Sequence, residues 1–333
     1  ICIGGGVFAA HAENEIRELA DLMQIPVITT MMGISVFPDD DQLFCGMIGT
    51  HGVKMANAAV NECDVLFLVG ARVGDRAVKT PLALEKTTKI IHIDIDPAEI
   101  GKNIGADLPL VGDAKLVLQQ MTELAKPMKH DEWIAHIKTL GGERKYVEPA
   151  KGTVNPRVFI DRLAKKMPAN VTVVADVGQN QIWTCTEYKF RKEGRLLTSG
   201  GMGTMGYSVP AAIGAKMADN SRATVAICGD GAFQMSFMEL ATAVQFGVDI
   251  KVVVMTNNRL GMVRELQTNG YHDRQTAVFL DGSPDFIKLA EAYGIPAMRV
   301  YDDDTMDKGV EMLAEHKGIC LVEVVVDKDM PTL

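Results

Sequence analysis

Residues 224–263 read TVAICGDGAFQMSFMELATAVQFGVDIKVVVMTNNRLGMV, and the fold is decided in this stretch. A short apolar run over 225–228 stops at Gly229-Asp230-Gly231. A segment of helical period follows, and then a β-branched run over 250–254 stops at Asn257-Asn258. The order is strand, loop, helix, strand, loop. Two strands joined by a helical crossover lie parallel, so both carboxyl ends open on the same edge of the sheet. Asp230 and Asn257, one at each end, are expected to meet there. An Asp carboxylate and an Asn carbonyl, completed by diphosphate oxygens, a backbone carbonyl and water, make the hard-oxygen shell that Mg²⁺ prefers. Gly229 and Gly231 let the backbone approach phosphate, and the following helix turns its N-terminus toward it. Gly-Asp-Gly or Asn-Asn alone is an ordinary turn. Together, each closing a strand, they point to a diphosphate and metal site.

The same alternation extends in both directions. Before the central unit come strand patterns over 1–3, 27–29, 65–69 and 90–93, with helical patterns over 13–23, 53–60 and 115–124. A second series has a helix over 156–165, a strand over 171–175, the central unit, helices near 284–292 and 305–316, and strands over 297–300 and 319–326. Apolar runs alternating with amphipathic ones define an α/β protein with two doubly wound parallel-sheet domains. Residues 126–153 are polar, contain Pro127 and Pro149, and hold one modest helix near 131–138. They read as a linker between a domain of 1–125 and one of 154–333. Glycines follow the strands, as in Gly4-Gly5-Gly6 and Gly70, so a nucleotide fits beyond the carboxyl ends of the first sheet, although the full G-x-G-x-x-G pattern is missing. Ile1-Cys2-Ile3 reads as a strand entered midway, so the chain is expected to lack its beginning.

Composition excludes several classes. With 333 residues, 47% hydrophobic, the chain can bury two cores. A net charge of −9 argues against nucleic acid as a partner, and Lys189-Phe190-Arg191-Lys192 reads as a solvated face. The six cysteines are scattered without a C-x-x-C pair, as reduced core thiols of a cytoplasmic protein would be. No apolar stretch approaches the roughly 18 to 20 residues of a membrane span, and no signal peptide is visible.

The Gly-Asp-Gly and Asn-Asn pair resembles the cofactor motif of thiamine-diphosphate enzymes, and the surrounding sequence most resembles the catalytic subunit of acetohydroxyacid (acetolactate) synthase. In the first half the resemblance lies in IGGG (3–6), TTMMGIS (29–35), GMIGTHG (46–52), GARVGDR (70–76), HIDIDPAEIGKN (92–103) and VGDAK (111–115). These segments imply an FAD that takes no net part in redox chemistry, held by Gly5, Gly6, Thr30, His51, Arg72, Arg76, Asp94, Ile95, Gly112 and Asp113. Arg72 and Arg76 would donate to its diphosphate, and Asp94 would accept from its adenosine end. Gly74-Asp75 departs from the family, which has two adjacent acids between its arginines.

In the second half, DVGQNQ (176–181) and SGGMGTMG (199–206) resemble segments around the diphosphate and thiazolium. The implied thiamine-diphosphate contacts are Gly178, Gln179, Gly203, Met205, Gly229, Asp230, Gly231, Ala232, Asn257, Arg259, Gly261 and Met262. Mg²⁺ would lie on Asp230, Asn257 and the backbone carbonyl of Arg259, and Met205 would bend the cofactor from beneath. Met262 and Leu266 would face substrate, with Leu266 where the family usually carries Trp and Tyr271 as an alternative filler of that space.

The implied activity is a carboligase that decarboxylates pyruvate and condenses it with pyruvate or 2-oxobutanoate, giving acetolactate or acetohydroxybutanoate for valine and isoleucine biosynthesis. The glutamate that activates the cofactor belongs to an N-terminal domain, contributed by a neighbouring subunit. No catalytic residue is therefore assigned within this chain, which is expected to be inactive alone. The intact protein would be a homodimer or homotetramer, with a small regulatory subunit as a further partner. Two alternatives stay open: another thiamine-diphosphate lyase or carboligase, such as a flavin-free catabolic acetolactate synthase or a glyoxylate carboligase, and a nucleotide-binding module without catalysis.

Overall fold

The apolar runs between amphipathic segments form strands, and every pairing between them is parallel. A computed structural model describes residues 1–78, 81–142 and 146–333, which divide into two units, 1–144 and 145–333. Each unit is built on a six-stranded sheet.

The first sheet comprises β1 (Cys2–Ile3), β2 (Val27–Thr29), β3 (Phe44–Met47), β4 (Val65–Val69), β5 (Lys89–Asp94) and β6 (Leu108–Val111), in the order β3-β2-β1-β4-β5-β6. Its central strands β1, β2 and β4 are apolar on both faces because both are covered. Glu13–Met23 and Ala114–Leu124 bury Ile16, Leu19 and Leu118 on one side, and Lys54–Glu62 and Asp131–Leu140 bury Ala56, Val60 and Ile137 on the other. The segment read as linker thus contributes the helix Asp131–Leu140 to this unit, and Ile137 is only 1% exposed. β3 and β6 escape a sequence reading because Gly46, at φ 100°, interrupts one and Pro109 sits in the other, an edge strand where proline is tolerated.

The order reverses between β1 and β4, where the backbones after the two strands almost touch: Gly4 N donates to Val69 O at 3.0 Å and Gly6 N to Gly70 O at 3.0 Å. A β-carbon on Gly4 would lie 2.1 Å from the carbonyl oxygen of Gly70, with only backbone to displace. Gly4→Ala is therefore expected to cost about 4 kcal/mol or more. Thermal unfolding of the full-length variant checks this, and an unchanged midpoint would contradict the close approach.

The second sheet comprises β7 (Thr172–Ala175), β8 (Arg195–Thr198), β9 (Thr224–Gly229), β10 (Lys251–Thr256), β11 (Ala297–Val300) and β12 (Cys320–Val325), in the order β11-β12-β10-β9-β7-β8. Three of its helices start at side-chain caps that the sequence supplies. Asn155 caps Pro156–Lys166 with Pro at the first position, Asp285 caps Phe286–Ala292, and Asp302 forms a capping box with Thr305 at Asp303–Glu315. The crossover from β9 to β10, expected as one helix, is broken into Asp230–Gln234, a 3₁₀ turn at Phe237–Glu239 and Leu240–Gln245, with Ser236 at φ −143° outside helical geometry. Phe233, Leu240, Ala243 and Phe286 pack in one core cluster against Ala226, Cys228, Val252 and Val254. Among the described residues, no helix is long and apolar enough to cross a membrane.

Candidate functional site

The second sheet reverses direction between β7 and β9, and in open α/β sheets a crevice at such a point receives ligands. Here it is a cleft of about 560 Å³ including its open mouth. Gly229 pairs with Met255 across β9 and β10, which sets Asp230 level with Thr256 and one residue short of Asn257.

Asp230 is 1% exposed. Its Oδ1 accepts from Gly231 N at 2.8 Å, and its Oδ2 accepts from Asn257 N at 3.2 Å and Asn258 N at 2.7 Å. Asn258, at φ 53°, bends the chain so that both amides point back at the carboxylate. Burial raises the pKa to about 6, against the opposing pull of these N–H groups. The charged form is thus held at a cost that a cation would offset. Asn257 Nδ2 donates to Gln179 Oε1 at 3.2 Å, and its Oδ1 accepts from Arg259 N at 3.0 Å, which leaves an oxygen lone pair for a further partner. The Arg259 guanidinium is turned elsewhere, donating to Asp281 at 2.7 Å and lying 4.7 Å from the Phe279 ring centre. Among the described residues, no group of three or more His, Cys, Asp or Glu side chains is placed for a metal. A cation at Asp230 would take most of its ligands from a bound anion, the backbone and water. The donor set fits a hard divalent ion carried with a diphosphate.

Two helices, Gln179–Glu187 and Gly261–Gly270, begin at this cleft, with Gly178, Gln179, Gly261 and Met262 all in its lining. Their free N–H groups and dipoles favour an anion. Gly178, at φ 144°, needs to be glycine, and a β-carbon on it would meet Asn180 Oδ1 at 2.5 Å. Space at Gly231 is bounded by side-chain ends: a β-carbon there would lie 2.9 Å from Leu260 Cδ2 and 3.3 Å from Met205 Cε.

The fold brings together in this one cleft all the residues expected at thiamine diphosphate except Gly203. Gly203 stands exposed at φ 66° in the loop leading to Met205. Met262 lines the cleft, whereas Leu266 is 62% exposed one helical turn further on and outside the lining; Tyr271 is exposed as well. Leu266 therefore does not border the cleft within this chain.

Two residues quoted only as part of a motif prove structural for the site. Asp176, fully buried at the end of β7, accepts from Val177 N at 2.9 Å, Gly206 N at 3.0 Å and Ser208 N at 2.7 Å, and so carries the loop that presents Met205. Asn180 Nδ2 donates to Asp176 O at 2.8 Å and to Ile227 O at 3.2 Å, tying β7 to β9. Two of the three partners of Asp176 are backbone amides some thirty residues along the chain, which leave no mark in a motif.

In the first unit, the residues expected at FAD follow the carboxyl ends of all six strands: Gly5 and Gly6 after β1, Thr30 after β2, His51 after β3, Arg72 and Arg76 after β4, Asp94 and Ile95 at β5, and Gly112 and Asp113 after β6. They share one edge of the sheet. Asp94 accepts from Asp96 N at 3.0 Å, Ile95 is 70% exposed, and Asp113 caps the helix Ala114–Leu124. Gly74, the point of departure from the family, has open space around it.

Comparison with known proteins agrees with this architecture. Residues 176–324 match the C-terminal TPP binding domain of thiamine pyrophosphate enzymes, and residues 1–121 match their central domain. The chain belongs to the thiamine pyrophosphate enzymes, and its second unit carries the domain that binds thiamine diphosphate. Within that family it is similar to acetolactate synthase large subunits. It is 40% identical to the probable one of Methanocaldococcus jannaschii, over 98% of this chain and 57% of that protein. With that of Lactococcus lactis the identity is 36%, over 98% and 57%. With that of Corynebacterium glutamicum it is 40%, over 90% and 49%. The chain spans about half the length of these relatives.

Proposed function

We propose that this chain is the cofactor-holding part of an acetolactate synthase large subunit, a carboligase that decarboxylates pyruvate and joins the product to a second 2-oxoacid. The observation that carries the reading is the meeting of Asp230 and Asn257 beside two helix N-termini at the reversal of the second sheet. Bound there, thiamine diphosphate would supply the nucleophilic carbon and electron sink for loss of CO₂. The chain's own residues bind and orient. Asp230, Asn257 Oδ1 and the Arg259 carbonyl hold Mg²⁺. Main-chain N–H groups at Gln179, Ala232 and Gly261 face the diphosphate, Met205 supports the rings from below, and Met262 borders the substrate. The residues at the edge of the first sheet hold FAD. A protein of this kind works in the cytoplasm as a dimer or tetramer, and the name "large subunit" borne by the relatives supports a smaller regulatory partner.

The full-length protein tests this. It is expected to carry flavin absorbance and to form acetolactate from pyruvate only with thiamine diphosphate and Mg²⁺. A colourless protein active without flavin would move it to the catabolic branch, and absence of carboligation would remove the reading. Leu266, exposed outside the cleft of this chain, would face an acceptor only in the assembled protein; with Leu there in place of an indole, competition between acceptors is expected to give only a weak preference for 2-oxobutanoate, because discrimination through one methylene is worth about 1–3 kcal/mol at best. A strong preference that survives Leu266→Ala would contradict a role for this position.

A further inference from the structure

Gln179 follows Gly178 at the first turn of Gln179–Glu187 and is 4% exposed. Its side-chain amide is committed at both ends. Nε2 donates to Met330 O at 2.9 Å and Thr332 Oγ1 at 3.1 Å, with Glu265 Oε2 at 3.4 Å, while Oε1 accepts from Asn257 Nδ2 at 3.2 Å. Met330 and Thr332 are themselves buried. Thr332 donates its N–H to the Glu265 carboxylate at 3.2 Å and its hydroxyl to the same group, and Trp183 Nε1 holds Pro331 O at 3.2 Å. Residues 330–332 are thus fastened from two helices that begin at the cleft.

The chemistry of these partners fixes directions. A main-chain carbonyl and a carboxylate only accept, so the Gln179 nitrogen must face Met330 and Glu265, and its oxygen must face Asn257. An oxygen in that place demands the Asn257 nitrogen opposite it. The Asn257 oxygen is then left for the Arg259 N–H and for whatever binds beyond. A hard cation accepts Asn only through that oxygen. We infer that Gln179 is a positioning residue: together with the Arg259 N–H it sets which end of the Asn257 amide meets the cation, and the segment 330–332, latched by Glu265, sets Gln179. This rests on the cation site proposed above. It also means that Gln179 meets a phosphate through its main-chain N–H, since its side chain is already engaged.

An Asp at 257 has oxygen at both ends and needs no orientation, which provides the test. In the full-length protein, Mg²⁺ is titrated at fixed thiamine diphosphate and followed by calorimetry, in the wild type, Gln179→Leu, Asn257→Asp and the double variant. Gln179→Leu is expected to raise the Mg²⁺ concentration for half-saturation about 10- to 100-fold, as losses in groups that orient metal ligands do. In the Asn257→Asp background it should cause no loss. An equal loss in both backgrounds would overturn the inference and assign Gln179 to phosphate contact or to folding. Should Gln179→Leu fail to fold, Thr332→Val, which removes the hydroxyl shared by Gln179 and Glu265, is expected to weaken Mg²⁺ in the wild type and not beside Asn257→Asp; any other pattern overturns the inference. Mg²⁺-independent cofactor binding in Asp230→Ala at wild-type affinity would instead remove the cation site itself, and this inference with it.

Discussion

Replacing Asp230 by Ala in the full-length protein is expected to abolish Mg²⁺-supported binding of thiamine diphosphate at ordinary concentrations, with a loss of at least about 100-fold in affinity. Losing a group that merely orients a metal ligand costs about 10- to 100-fold, and here the proposed ligand itself would be removed. Among the described residues Asp230 is the only acid lining the cleft, which leaves no neighbouring carboxylate among them to take over its charge. It is also buried with its pKa raised to about 6, the environment in which an unpaired carboxylate is most costly and a cation most welcome. Calorimetric titration of cofactor with and without Mg²⁺ measures the effect. Near-normal affinity in the variant would mean that the carboxylate serves only to receive the amides of Gly231, Asn257 and Asn258.

How much of this site was legible in the sequence depended on whether a residue acts at a strand end or through a distant backbone. Asp230 and Asn257 were legible because parallel pairing forces consecutive strand ends onto one edge, and the register of β9 with β10 brings them within one residue of level. The glycines beside them were legible for the same reason. Gln179 was marked for the phosphate, but the commitment of its side chain to residues 330–332 depends on where β12 leaves the chain, which no local pattern states. Leu266 was assigned from a motif, and in this chain it stands exposed one helical turn beyond the cleft. In the first sheet, the edge strand Leu108–Val111 is mostly exposed and holds a proline, so neither hydrophobic periodicity nor composition marks it. The helix Asp131–Leu140 was read as a minor feature of a polar linker because only Ile137 among its residues is fully buried.

Asp176 lies one strand away from Asp230, equally buried, and its replacement by Ala is expected to act through stability rather than through a cation. Its two oxygens receive three main-chain N–H groups, those of Val177, Gly206 and Ser208, two of them from beyond the next strand. Alanine would leave these donors without their acceptor, at about 1–3 kcal/mol for each that stays dry. Because the loop can relax and admit water, the total should fall near ~3–5 kcal/mol, within the range of a broken buried network. That corresponds to a fall of roughly 10 °C in the melting midpoint of a unit of this size. The loop that carries Met205 across Gly231 would loosen at the same time, so cofactor affinity should fall even at saturating Mg²⁺. Asp176→Asn keeps one acceptor but turns an NH₂ toward a backbone N–H, and is expected to lie between the wild type and Asp176→Ala. Thermal unfolding of both variants beside Asp230→Ala separates the two carboxylates: the midpoint should drop for position 176, and the Mg²⁺ dependence should vanish for position 230. If Asp176→Ala melts with the wild type and binds cofactor normally, the loop 199–208 is held by something other than this carboxylate.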